Sequence, residues 1–393
     1  MNARRSTGLS LLFGTAGIGG ILGILGLGGV LGLLAAAGCS TAPSTGKYVA
    51  KPAERPVAKV SHSYDLYEVI KSRKQWTGIA ISRTGRMFVT YPRWSDDVPV
   101  SVGEISKEGY QRPFPDESWN EWTPDFDAAS HFVCAQAAWV DAEDDLWIVD
   151  PASPRFAGVV PGGAKLVKIS LTTNRVLKTY LFDEAAAPKG SYLNDVRVDA
   201  ARGVAYLTDS GAGALVVLDL TSGKARRLMA GRTPVMSEAT DIVIDGKPWR
   251  MPGGTKPEVH ADGIALDPRG EWLYWHALTG KTLWRVRTAD LLDASLTDAG
   301  LVRKVEKVID TDPADGMEFG SDGLLYLTSL DGSGVRRLEP DGTLSWVVQD
   351  PRLRWPDSLA VGADGLLYVT TSQIHLGASP REHYYVYRLR PDT

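Results

Sequence analysis

Six times along the chain, a short alternating apolar run meets a Gly/Asp turn and then a second run led by an aromatic. The copies are residues 79–88, 137–147, 196–206, 264–274, 317–326 and 359–368. Their aromatic leads are Phe88, Trp147, Tyr206, Tyr274, Tyr326 and Tyr368. Period-two alternation interrupted by a tight turn is a β-hairpin pattern. Copies spaced roughly 40 to 70 residues apart define a repeat architecture in which no single unit can bury its own face. The pattern therefore predicts an all-β fold, a six-bladed β-propeller over residues 59–393.

In a propeller the innermost strand of each blade starts at one mouth of the central channel. Counting back from the aromatics places six residues there: Thr77, Gln136, Asn194, Asp262, Asp315 and Asp357. All six are polar within an otherwise apolar pattern. Three carboxylates and two carboxamides on one axis repel unless something positive sits among them. Oxygen-only donors of this kind suit Ca²⁺ or Mg²⁺ rather than zinc, with Asn194, Asp262 and Asp315 as the candidate metal ligands. The other reading is a wet channel mouth whose polar ring needs only water. His260, two residues before Asp262, is a candidate proton carrier at physiological pH, or simply a loop histidine.

The 12 tryptophans include Trp139, Trp147, Trp272 and Trp284 within the repeats, where packing between blades is their expected role. Trp119, Trp122 and Phe126 form an aromatic insertion that could either cover the channel mouth or plug a packing gap. The formal charge is −4, and no basic stripe is present, which argues against a nucleic-acid partner. There is no Gly-x-Ser-x-Gly elbow, P-loop, HExxH or Cys-x-x-Cys motif. Of the two cysteines, Cys134 sits in an apolar run and reads as core.

The N-terminal residues read as an address rather than part of the fold. Arg4 and Arg5 precede a long uncharged Leu/Gly/Ala stretch that ends in small residues before Cys39. This matches a bacterial lipobox, with residues 1–39 a signal peptide and Cys39 the lipidated residue. An uncleaved membrane anchor is the alternative, since the stretch exceeds the roughly 20 residues needed to span a bilayer. Export by either the general or the twin-arginine route remains open. Residues 40–58 read as a flexible tether. The expectation is a monomer outside the cytoplasm, in the periplasm or on the cell surface, touching the membrane through its lipid only.

Several phrases taken together resemble the Yellow / major royal jelly protein family. They are residues 78–94, 192–199, 205–210, 214–217, 262–266, 283–288 and 349–357, in order, and the resemblance extends over residues 65–390. It implies a secreted six-bladed propeller that binds a small molecule. Bacterial members of the family are described as related to dopachrome tautomerase. A more distant resemblance is to gluconolactonase-type propellers, which bind one divalent cation with Glu, Asn and Asp and hydrolyse sugar lactones. Asn194 and Asp262 match two of those positions, whereas the position of the first-blade Glu holds Thr77. The expected functions are thus a cation-dependent lactonase, a metal-free tautomerase using Asp262 or His260, or a non-catalytic binder of an aromatic amine.

Overall fold

Six four-stranded antiparallel sheets follow one another in a computed structural model that describes residues 64–106, 109–377 and 382–391. Blade 1 is Ile79–Ile81, Met87–Thr90, Val102–Ile105 and Gln111–Pro113. Blade 2 is Ala137–Val140, Asp145–Asp150, Lys165–Ser170 and Arg175–Leu181. Blade 3 is Leu193–Asp199, Val204–Asp209, Ala214–Asp219 and Ala225–Leu228. Blade 4 is Ala261–Leu266, Trp272–Ala277, Thr282–Arg287 and Glu306–Asp310. Blade 5 is Met317–Phe319, Leu325–Ser329, Gly334–Leu338 and Leu344–Gln349. Blade 6 takes Pro356–Val361, Leu367–Thr371 and Tyr384–Pro391, and its outermost strand is Tyr64–Ser72.

Each of the six sequence phrases is the inner hairpin of one blade. The circle closes through Tyr64–Ser72, which pairs antiparallel with Tyr384–Pro391. The repeat pattern does not announce this strand, because it belongs to no hairpin phrase of its own. The signal peptide and tether expected over residues 1–58 lie outside the described residues. Among those described, no helix is long and apolar enough to cross a membrane.

The cores lie between blades rather than within them. Phe88 of blade 1 packs in a seam with Leu146 and Ile148 of blade 2. Trp147 of blade 2 packs with Val196 and Leu207 of blade 3, and Tyr206 of blade 3 with Ile264 and Trp275 of blade 4. Tyr274, Tyr326 and Tyr368 repeat the arrangement toward the next blade around the circle. A large ring at this position spans the gap between two sheets about 10 Å apart. That explains why every repeat carries an aromatic there.

Two small-residue devices hold the inner strands together. Glycines follow the ring residue in three blades, and side chains there would collide with a neighbouring blade. A Cβ on Gly263 would lie 2.1 Å from the Asp315 carbonyl oxygen, and one on Gly316 2.3 Å from that of Asp357. Threonines on the second strands form the other device. The Thr90 hydroxyl accepts from the Gly78 amide (2.9 Å) and donates to the Gln136 carbonyl of blade 2 (2.6 Å). Thr208 accepts from the Asp195 amide and donates to the Asp262 carbonyl of blade 4. Thr370 accepts from the Ser358 amide and donates to the Thr77 carbonyl, across the closure from blade 6 to blade 1 (2.7 Å).

Gly263→Ala is expected to destabilise the folded chain by about 3 kcal/mol, because backbone rather than a yielding side chain stands in the way. Gly190→Ala, where nothing lies within 4 Å of the added carbon, should change stability by no more than about 0.5 kcal/mol. Denaturant midpoints of the two variants measure the difference.

Candidate functional site

In blades 3, 4 and 6 the start of the inner strand is also where regular pairing breaks. Register shifts fall between Leu193 and Val196, between Ala261 and Ile264, and between Pro356 and Leu359. These irregularities contain Asn194, Asp262 and Asp357. A bulge re-aims side chains out of the ladder, and here it gathers them at the channel mouth.

Five of the six sequence-derived ring residues form one connected group. The Gln136 amide donates to Asn194 Oδ1 (3.4 Å), and the Asn194 amide donates to Asp262 Oδ2 (2.8 Å) and Ser210 (3.1 Å). Asp262 and Asp315 bear on one another electrostatically, and the negative charge of Asp357 bears on both. The Trp355 indole donates to Asp315 Oδ2 (2.6 Å), and the Ser358 hydroxyl to Asp357 Oδ1 (3.0 Å). Thr77 is different. Its fully buried hydroxyl is spent on the Gln136 carbonyl (2.7 Å), so it belongs to the seam between blades 1 and 2.

Burial is the first cause of the site's electrostatics, and carboxylate crowding the second. Asp262 and Asp315 are both held well above the usual carboxylate range. Burial pushes Asp357 up to about 7, against the opposing pull of neighbouring serine hydroxyls. A fourth carboxylate, Asp195, is raised to about 6 by burial, with Arg197 opposing. Sequence reasoning missed Asp195, Arg197 and Glu318. Their signal was present: charged residues at alternating positions of inner strands where blade 4 has Gly263 and Ala265.

His260 lies close by but is otherwise engaged. Its Nδ1 accepts from the Ser237 amide (3.0 Å), and burial lowers its pKa, so it stands as a neutral imidazole. Asp209 and Glu258 are the acidic groups that act on it. Two aromatics of the insertion are packing residues, Trp119 against Phe132 and Trp122 against the cluster of Val133 and Ala152, whereas Phe126 is exposed beside His131. Cys134 is fully buried, which pushes its thiol up to about 12.

Two aromatic groups come to the mouth instead. Phe156 stacks between Trp94 and Tyr192, with both centroid distances 5.2 Å. The Trp94 indole donates to the Tyr192 hydroxyl, which in turn donates to Gln136 Oε1. On the opposite side Trp355 is packed edge-on by Trp249 and face-on by His375. Arg155, Phe156 and Trp355 all have left-handed backbone conformations, with φ of 53°, 56° and 54°. Bulky residues adopt this conformation at a cost and concentrate at functional sites.

The donor set does not build the expected metal triad. Asn194 turns its NH₂ rather than its oxygen toward Asp262, Trp355 occupies one oxygen of Asp315, and Thr77 faces away. Among the described residues no group of three or more His, Cys, Asp or Glu is arranged to hold a metal ion. The buried Oδ1 of Asp262 has no hydrogen-bond partner.

These features define a six-bladed propeller with a buried acidic cluster and flanking aromatics at one channel mouth. The profile of the major royal jelly protein family matches residues 133–382, and the chain belongs to that family. No curated protein sequence matches it. Among solved structures it is similar to a luciferin-regenerating enzyme (12% identity, TM-score 0.53, covering 83% of this chain and 95% of the other). It is also similar to a gluconolactonase from Xanthomonas campestris (14%, 0.51, 84% and 90%). A third is the calcium-binding protein regucalcin from Agrobacterium tumefaciens (16%, 0.51, 84% and 96%). At these identities the likeness establishes the fold.

The raised carboxyls fix the sign of the pH dependence. A carboxyl with a higher pKa folded than unfolded makes the native state the stronger proton binder, so stability falls as pH rises. For Asp357 the loss runs from the ordinary value of 3.8 through about 7. Denaturant titrations between pH 4 and pH 8 should show declining stability in the ligand-free protein. Asp357→Asn should flatten the decline.

Proposed function

We propose that this propeller is a receptor for a small organic cation carrying a flat ring, bound at the acidic mouth. One observation carries the reading: Asp262 Oδ1 is buried without a partner among three further raised carboxyls. An ammonium group brings both the missing hydrogen-bond donors and the missing positive charge. Phe156, 61% exposed beside Trp94, offers aromatic surface for the ligand ring and its cationic end. Asp262 is the principal anchor, Asp315 and Asp357 share the charge, and Gln136 and Asn194 orient the ring of carboxyls.

A second reading has its own support. Burial and mutual repulsion hold Asp262 and Asp315 well above the usual carboxylate range, and a carboxyl that holds a proton near neutrality can pass it to a substrate. In a metal-free tautomerisation Asp262 would give a proton at one ring position while a neighbouring carboxylate took one at another. Hydrolysis of a lactone with Ca²⁺ or Mg²⁺ is the remaining reading. It would need Asn194 to present its oxygen to the ion. Export and anchoring through Cys39 also belong to the proposal, and Cys39→Ser should release the protein from the membrane fraction.

The test is calorimetric titration of the folded chain with benzylamine, with Ca²⁺ or Mg²⁺ added or a chelator present. One-site binding that survives chelator and weakens at least about tenfold in Asp262→Asn is expected, as for a lost charge-assisted hydrogen bond. Binding that requires the divalent ion, or that ignores the substitution, contradicts the receptor reading.

A further inference from the structure

A buried arginine spans from blade 3 to blade 5, and a second pocket lies among the inner strands beyond it. Arg197, on the inner strand of blade 3, reaches the inner strand of blade 5. There its guanidinium donates to the Met317 carbonyl (2.6 Å) and pairs with Glu318 (3.1 Å). Blade 4 lies between them and offers only Gly263 and Ala265 at the corresponding positions, which leaves the arginine room. Arg197 is two residues further along its strand than Asp195, so the pair stands below the acidic cluster.

The space beyond is lined by Ala80, Trp139, Glu318, Phe319, Leu359 and Ala360, among other inner-strand residues, and has a volume of about 220 Å³. These residues sit at the opposite ends of the inner strands from Asp262 and Asp315. The pocket therefore opens on the other face of the propeller. Its walls are apolar or aromatic, and Glu318 is its one ionisable group.

We propose that this pocket is a second small-molecule site, selective for a neutral single ring bearing one hydroxyl, that is, the phenol class. Size sets the ring: an apolar cavity of about 150 Å³ is enough to hold benzene. Charge sets the neutrality. Arg197 already balances Glu318, so an added cation would remain uncompensated between apolar walls. Glu318 sets the hydroxyl. Its carboxylate accepts from Arg197 and from the Phe319 amide (2.9 Å), and the Trp139 indole bears on it as a third donor. With two lone pairs on each oxygen it keeps capacity for one more donor. Trp139 and Phe319 present aromatic surface to the ring.

Phenol itself is the probe, titrated into the folded chain by calorimetry and followed by tryptophan fluorescence for Trp139. Wild type should bind one equivalent with a dissociation constant of about 1 mM. Glu318→Gln, which keeps the shape of the site, should weaken binding at least about fivefold. Val140→Trp, at the pocket rim, should abolish it while leaving the thermal transition in place. Ala360→Val fills the same space from the floor and serves if the tryptophan variant fails to fold. Asp262→Asn should leave phenol binding unchanged. Absence of saturable binding overturns the proposal. So does binding indifferent to both Glu318→Gln and pocket filling, and so does binding lost in Asp262→Asn but kept in the filled variants.

Discussion

The close approach of the six inner strands governs the rest of the molecule. Their ends meet so tightly that glycine is needed at Gly263 and Gly316, and hydroxyls must replace lost ladder hydrogen bonds at the bulges. Thr90, Thr208 and Thr370 each join an amide of one blade to the ring carbonyl of the next. The residues fixed by those carbonyls include Gln136 and Asp262. The contact that closes the circle therefore also aims the polar side chains at the mouth. Aromatics further out in each seam supply the apolar burial that makes such crowding sustainable.

That geometry forces like charges together. Asp195, Asp262, Asp315 and Asp357 would repel strongly if all were ionised, and burial deepens the conflict. The fold relieves part of it with Asn194, Trp355 and Ser358, and protons relieve more. Asp262 Oδ1 still lacks a donor. Groups left in this state define the ligand by what they need, which here is positive charge with N–H donors. Arg197 does not answer the need, because its guanidinium is committed to Met317 and Glu318.

Much of this was legible in the sequence because a propeller repeats its grammar. The alternating runs, Gly/Asp turns and aromatic leads marked each inner hairpin, and counting back from the aromatics located Gln136, Asn194, Asp262, Asp315 and Asp357. The count also returned Thr77, which has the right place on its strand but spends its hydroxyl on a neighbouring blade. Spacing gives position, not orientation. Tyr64–Ser72 escaped because its partner strand is more than 300 residues away in sequence. Phe156 and Trp355 escaped because left-handed backbone on a bulky residue has no signature in a single chain.

The account's central claim is that protons hold the acidic cluster together until an organic cation replaces them. Calorimetric titration of benzylamine at pH 6.5, repeated in buffers of different ionisation enthalpy, tests it directly. The account predicts net proton release on binding, diminished in Asp262→Asn. Binding with no proton release, or with proton uptake, would contradict it.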